Sequence, residues 1–252
     1  MNARWAGAVA ASAGLLVVQT ARAEPARTNE PTPPAAAAPG RIGGRLHLAL
    51  RTGFGLPIGK YADVQALAGV RDDDNAVHDD TYGVIPIWID AGYRLTDRVL
   101  LGAYFMFGVV LPKTAPADNP LGGGCPEGFD CFATGVRFGV QAQYSFAPEA
   151  PLDPWLGVAL GYERVGTELE GEVFSIPFEA STHYSGPDLL QIQGGVDFRT
   201  GELFAIGPFA SASAMQYTSC SLELAGEESR CELEDGGWHG WLVLGVRGVV
   251  EL

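Results

Sequence analysis

Val136-Arg137-Phe138-Gly139-Val140-Gln141-Ala142-Gln143-Tyr144-Ser145-Phe146 alternates apolar residues with polar residues or glycine without a slip. Successive side chains of a strand point to opposite faces, so this stretch predicts a strand with two unlike sides. Val136, Phe138, Val140, Ala142, Tyr144 and Phe146 make one side. Arg137, Gly139, Gln141, Gln143 and Ser145 make the other.

The same design recurs on either side of it. Upstream, strands are expected over residues 45–56, 82–95 and 98–111, with Leu46, Leu48 and Leu50, then Ile85, Ile87 and Ile89, then Leu101, Phe105 and Phe107 on their apolar sides. Downstream, they are expected over 154–165, 188–199, 202–217 and 237–252. In the segment 202–217 the run Ala210-Ser211-Ala212-Ser213 leaves the two faces poorly distinguished. Pro86 and Pro208 fall inside strands although proline cannot donate to a ladder, so a bulge or local fraying is expected at each. The connections alternate long and short, the long ones being 57–81, 112–131, about 166–187 and 218–236. An even number of antiparallel strands joined in this way is the pattern of a bacterial outer-membrane barrel, with both chain ends in the periplasm and the long loops outside.

Alternation alone does not say which side faces out, and a secreted soluble barrel would line a cavity with the apolar one. The polar side argues against that. It is rich in Gly and Gln and carries no Lys, because Lys60 and Lys113 are the only two lysines and both fall in expected loops. A water-facing sheet would carry Lys and Glu in numbers. Tyr93, Tyr144, Phe146 and Phe198 also sit toward strand ends on the apolar side, where membrane-interface girdles lie. The expected fold is therefore all-β, an eight-stranded antiparallel up-and-down transmembrane β-barrel with long extracellular loops.

Taken with an export signal, these strands resemble the small outer-membrane barrel proteins, the OmpA-transmembrane, OmpX-type and OmpW-type group, over residues 41–252. The resemblance implies architecture and location. It carries over no catalytic or binding residue. The chain departs from that group by ending Val250-Glu251-Leu252 rather than on an aromatic residue.

Residues 1–23 read as a signal peptide: Arg4, an apolar run from Trp5 to Val18, and Ala21-Arg22-Ala23 as a cleavage site. Residues 24–40, rich in Pro and Ala, read as a periplasmic tether that cannot build a core. The formal charge of −14 becomes −16 once Arg4 and Arg22 leave, which excludes nucleic acid as a partner. The expected partners are outer-membrane lipid and lipopolysaccharide, with the chain a monomer and no cofactor or metal. The acidic run Arg71-Asp72-Asp73-Asp74-Asn75 with Asp79-Asp80 lacks the glycine turn and distal Glu of a calcium loop and reads as a solvated face.

Inward-facing Arg45, Arg51, Asp90, Arg94, Arg137, Glu163, Asp197 and Arg247 are expected to meet in a lumen that eight strands leave nearly filled by side chains. Buried charges are tolerable there only when each finds a partner. His47 is expected to face that lumen. His183 and Ser185 form a His-x-Ser pair reminiscent of barrel lipid A deacylases, yet strand geometry sets Asp197 some 40 Å away. Cys125 with Cys131, and Cys220 with Cys231, are expected to close two disulfides within single loops of an exported protein. The leading functional reading is a non-enzymatic surface barrel with acidic, disulfide-closed loops, serving envelope structure or binding. A narrow channel for small solutes and a lipid-modifying barrel enzyme are the alternatives.

Overall fold

The computed structural model describes residues 46–59, 81–114, 125–173, 176–224, 226–230, 233 and 238–252. The chain divides into two units, Met1–Gly40 and Arg41–Leu252. The expected signal and tether, Arg45, and the acidic run 71–80 lie outside the described residues.

Among the described residues there are ten strands: β1 (Leu46–Gly59), β2 (Thr81–Arg94), β3 (Val99–Pro112), β4 (Asp130–Ser145), β5 (Leu152–Val173), β6 (Ile176–Arg199), β7 (Phe204–Gln216), β8 (Ser219–Leu224), β9 (Glu227–Arg230) and β10 (Trp238–Glu251). Eight of them form a closed antiparallel ring in the order β1, β2, β3, β4, β5, β6, β7, β10, with β10 returning to β1. Closure gives each of these eight strands a partner on both sides, which removes the unpaired edges an open sheet would expose. The turns 95–98, 146–151 and 200–203 gather at one end, here the turn end; the longer connections leave from the other, the loop end.

Apart from three register shifts, the barrel strands alternate as their sequence demands. Ile87, Val140 and Leu244 point outward at 48%, 62% and 71% exposure, while Arg137, Gln141 and Arg247 point inward and are buried. The outward set is an apolar band around the whole ring. Tyr93, Tyr144, Phe146, Phe198 and Phe204 ring its turn end, and Tyr82, Phe132, Tyr162 and Trp238 its loop end. This two-level aromatic pattern is that of strands crossing a bilayer.

Three expectations need correction. The segment about 166–187 is strand rather than loop: β5 and β6 run on for 22 and 24 residues and stay paired from Leu152↔Phe198 to Val173↔Ile176. Beyond the roughly 14 residues a neighbour uses, the surplus in β5 raises the hairpin by about 25 Å. Second, the loop 218–236 contains the β8–β9 hairpin, with β8 pairing onto the raised part of β6. The sequence signal was masked because Glu168, Glu170, Glu172 and Glu179 read as loop, whereas they are the solvated outer face of a sheet that has left the apolar band. Third, the two faces of β7 are distinct: Phe209, Ser211, Ser213 and Met215 are buried, and Pro208, Ala210 and Ala212 face out. Of the bulge or local fraying expected at Pro86 and Pro208, the structure shows the fraying, with no bulge at either. Each interrupts one ladder while leaving the register intact, between Thr52↔Ile87 and Gly55↔Val84 on the β1 side of Pro86, and between Gly195↔Phe209 and Phe198↔Ile206 on the β6 side of Pro208. A missing N–H is thereby taken up by skipping bonds rather than by inserting a residue. Register shifts lie instead at Thr81/Gly83, Ala159/Gly161 and Asp188/Leu190.

Cys125 and Cys131 are disulfide-bonded, as expected. Cys220 is also disulfide-bonded, and Cys231 lies outside the described residues.

Replacing outward Val140 with Arg puts a charge against hydrocarbon and is expected to cost about 2–4 kcal/mol near the midplane. Folding titrations in lipid vesicles check this; an unchanged midpoint would contradict a lipid-facing Val140. Removing the Cys125–Cys131 bridge frees only a short ring, so a loss of at most about 2 kcal/mol is expected, confined to the loop, with the barrel's melting temperature unchanged.

Candidate functional site

The lumen is where the chain concentrates its buried ionisable groups. Seven of the eight expected charges are described, and all seven are buried: Arg51, Asp90, Arg94, Arg137, Glu163, Asp197 and Arg247. They pair in three layers from the turn end to the loop end.

At the turn end, Arg247 grips Asp197 with two donors, its Nε donating to Oδ1 at 2.8 Å and its Nη2 to Oδ2. Its third nitrogen donates to Gln143 Oε1 at 3.0 Å, and the guanidinium lies 3.7 Å from the centre of the Trp155 ring. Planar forked donors over an indole face are the geometry an arginine supplies and a lysine does not. Arg94 donates from Nε to Glu251 Oε1 at 2.6 Å and from Nη1 to Ser145 Oγ at 3.2 Å. His47, buried as expected, places Nδ1 3.7 Å from the same carboxylate.

In the middle layer Arg51 donates to Asp90 Oδ1 at 2.6 Å and to Gln193 Oε1. Gln141 is the hub: its amide donates to Asp90 Oδ1 at 3.0 Å, and its carbonyl accepts from Gln143 at 3.1 Å and from Gln193 at 2.7 Å. Trp88 and Phe209 meet edge to face at 5.7 Å beside the Arg51 guanidinium. Arg51 and Asp90 have side chains with no exposed surface.

Toward the loop end Arg137 lies between two acids, 3.4 Å from Glu163 and 4.0 Å from Asp188. Tyr104 donates to Asp188 Oδ2 at 3.1 Å. Its ring reaches there because Gly139 lies beneath it, where a Cβ would come within 2.8 Å of Tyr104 Cε1. His239 Nε2 is 2.7 Å from Glu163 Oε2, and its ring stacks on Tyr217 at 3.9 Å. Tyr217 in turn meets Tyr184 at 5.3 Å, so aromatic rings lie across the loop end of the network.

Among the expected residues, then, Arg51 meets Asp90, Arg137 meets Glu163, and Arg247 meets Asp197. Arg94 pairs outside that set, with Glu251. Asp188, His239 and Glu251 are the titratable members left out of the expected set, whereas Gln141 and Gln143 fall on the polar side read from the sequence. Glu251 alternates inward and was legible from parity. Asp188 was not, because the irregularity at Asp188/Leu190 sends both Leu189 and Leu190 outward and reverses the parity of everything before them. His183 and Ser185 face outward on the raised part of β6, away from Asp197, so the structure does not assemble a His-Ser-Asp arrangement. Among the described residues, no three His, Cys, Asp or Glu side chains are grouped to hold a metal ion.

No protein-family model matches the sequence, and no curated protein matches it significantly. Solved structures of similar fold include three outer-membrane barrels. Neisserial surface protein A is 13% identical, with 81% of this chain and 95% of that one covered at a TM-score of 0.40. Ail, the attachment invasion locus protein of Yersinia pestis, is 13% identical, with 82% and 98% covered at 0.41. The outer membrane protein OprG from Pseudomonas aeruginosa is 13% identical, with 82% and 97% covered at 0.45.

Asp90→Ala leaves the fully buried Arg51 without its counter-charge, and a loss of about 3–5 kcal/mol is expected. The double change Arg51→Met with Asp90→Leu should recover much of that loss. Urea midpoints of the refolded barrel in vesicles measure both; a double variant no better than the single one would show that the pair is not the source of the loss.

Proposed function

We propose that this chain is a non-enzymatic outer-membrane surface barrel, anchored by its eight closed strands, with its turn end and both termini in the periplasm and the β5–β6 and β8–β9 hairpins outside the cell. The observation that carries this reading is the combination of an apolar outer wall with a lumen filled by paired charges. Every described inward arginine has a carboxylate partner, and bulky Trp88, Trp155, Phe209 and Met215 fill the space between. A conducting path would have to part these pairs, each of which would then leave an uncompensated charge away from water. What projects outside is an acidic sheet, whose outer face carries Glu168, Glu170, Glu179, Glu223 and Glu228.

In planar bilayers the purified full chain is expected to give no steady single-channel steps, and steady steps would favour transport instead. An epitope inserted at Gly226, the positive-φ turn between β8 and β9, should be stained on intact cells. Staining only after permeabilisation would reverse the orientation.

A further inference from the structure

The outward side chains change character in steps as β5, β6, β8 and β9 rise from the apolar band. On β5 the band ends at Tyr162, whose ring packs at 6.0 Å against that of Phe138. The next outward residue is Arg164, and the register sets it beside Ser185 of β6, with Ser219 of β8 next in the row. Their hydroxyls are linked: Tyr162 donates to Ser185 Oγ at 3.0 Å, and Ser185 and Ser219 are 2.6 Å apart. One step higher, Gly166, His183, Ser221 and Arg230 form a second row. His183 lies flat in it because Gly166 has no side chain; a Cβ there would stand 2.8 Å from the ring Nδ1. Only in the third row do acids begin, with Glu168, Glu223 and Glu228 around Ser181.

This collar is a set of donors with nothing anionic to receive them. Among the described residues Arg164 and Arg230 form no salt bridge, and His183 Nδ1 is buried without a hydrogen-bond partner. Two guanidinium groups, an imidazole and three serine hydroxyls within two adjacent rows suit a phosphate, whose oxygens take forked and single donors together. Height decides the source. The collar sits directly on the aromatic edge of the apolar band, the level of lipid headgroups. An anion arriving from water must cross the row of Glu168, Glu223 and Glu228, whereas a headgroup arrives from below without crossing it.

We propose that Arg164, His183, Ser185, Ser219, Ser221 and Arg230 form a binding site for the phosphate of an outer-leaflet lipid, on the outer wall of the barrel. The inference rests on reading the apolar band as lipid-facing. The test uses the full chain in detergent micelles, titrated with bisphosphorylated lipid A and with its dephosphorylated form, bound lipid being counted by native mass spectrometry. The phosphorylated form should be preferred, and Arg164→Gln with Arg230→Gln should weaken its binding about 30-fold, at roughly fivefold per arginine. Arg98→Gln, at the turn end, should leave it unchanged. Heat-modified gel mobility establishes that each variant is folded, and Ser185→Ala, which removes no charge, gives a second variant expected to weaken binding several-fold. Equal binding of the two lipids, or wild-type affinity in the folded double variant, overturns the site. Full displacement by millimolar inorganic phosphate overturns the headgroup assignment. Failure of the wild-type chain to insert into vesicles would instead overturn the barrel's membrane reading, so the two failures are told apart.

Discussion

Closing a ring with only eight strands leaves an interior about as wide as its own side chains. Everything inside this protein follows from that limit. An inward arginine cannot reach bulk water from the middle of the ring, so its position is tenable only opposite a carboxylate, and the strands are registered to provide one: Arg51 on β1 faces Asp90 on β2, and Arg247 on β10 faces Asp197 on β6. The glutamines solve the remaining geometry. Gln141 gives its amide to Asp90 and takes two amides on its carbonyl, joining the middle layer to Gln143, which itself accepts from Arg247. A network of this kind adds less net stability than a dry apolar core of the same volume, because each charge gives up its hydration. It also punishes a wrong register, since sliding any strand by one residue turns its charges toward lipid.

Much of the fold was legible because a two-residue period is a local signal. Within β4 the alternation of Arg137, Gln141 and Gln143 with Phe138, Val140 and Tyr144 needs no knowledge of distant contacts to assign both faces. Legibility ended where parity broke or polarity changed. At Asp188 the irregularity before Leu190 cannot be seen in composition, since Leu189 and Leu190 satisfy an outward face equally well in either phase. At Glu168 and Glu170 the strand continues, but its outward neighbours have changed from lipid to water, so the pattern expected of a membrane strand disappears while the backbone geometry does not. Ion-pair partners were half legible: parity says which residues are inside, and only the register between strands says which of them meet.

The outer wall carries its own sequence of environments along β5. Leu156, Val158 and Leu160 meet hydrocarbon, Tyr162 marks the boundary, Arg164 follows, and Glu168 and Glu170 complete the rise into solvent. A single strand thereby records apolar, interfacial and aqueous conditions in order. The ordering of the two charge signs is also informative. With the proposed lipid phosphate in place, acids against the band would face it across a short distance, whereas arginine there gains from its charge and the acids above are separated by a further row.

The raised sheet faces a problem that the ring below it does not. Once β5 and β6 leave the barrel, closure no longer protects their edges, and an unpaired strand of that length would offer a template to other chains. The protein covers the β6 edge with β8 and then covers β8 with β9. The new edge, β9, is only four residues long, and its sequence Glu227-Glu228-Ser229-Arg230 is wholly exposed and mostly charged. On the other side, β4 rises only to Asp130, which pairs with Glu170, and Phe129 lies against the strand beyond it, over Gly171 and edge to face with Phe178 at 6.2 Å. The Cys125–Cys131 bridge closes the short loop that carries Phe129, so the disulfide holds in place the residue that covers the far edge of β5. Short charged strands and a pinned aromatic residue thus do above the membrane what ring closure does within it.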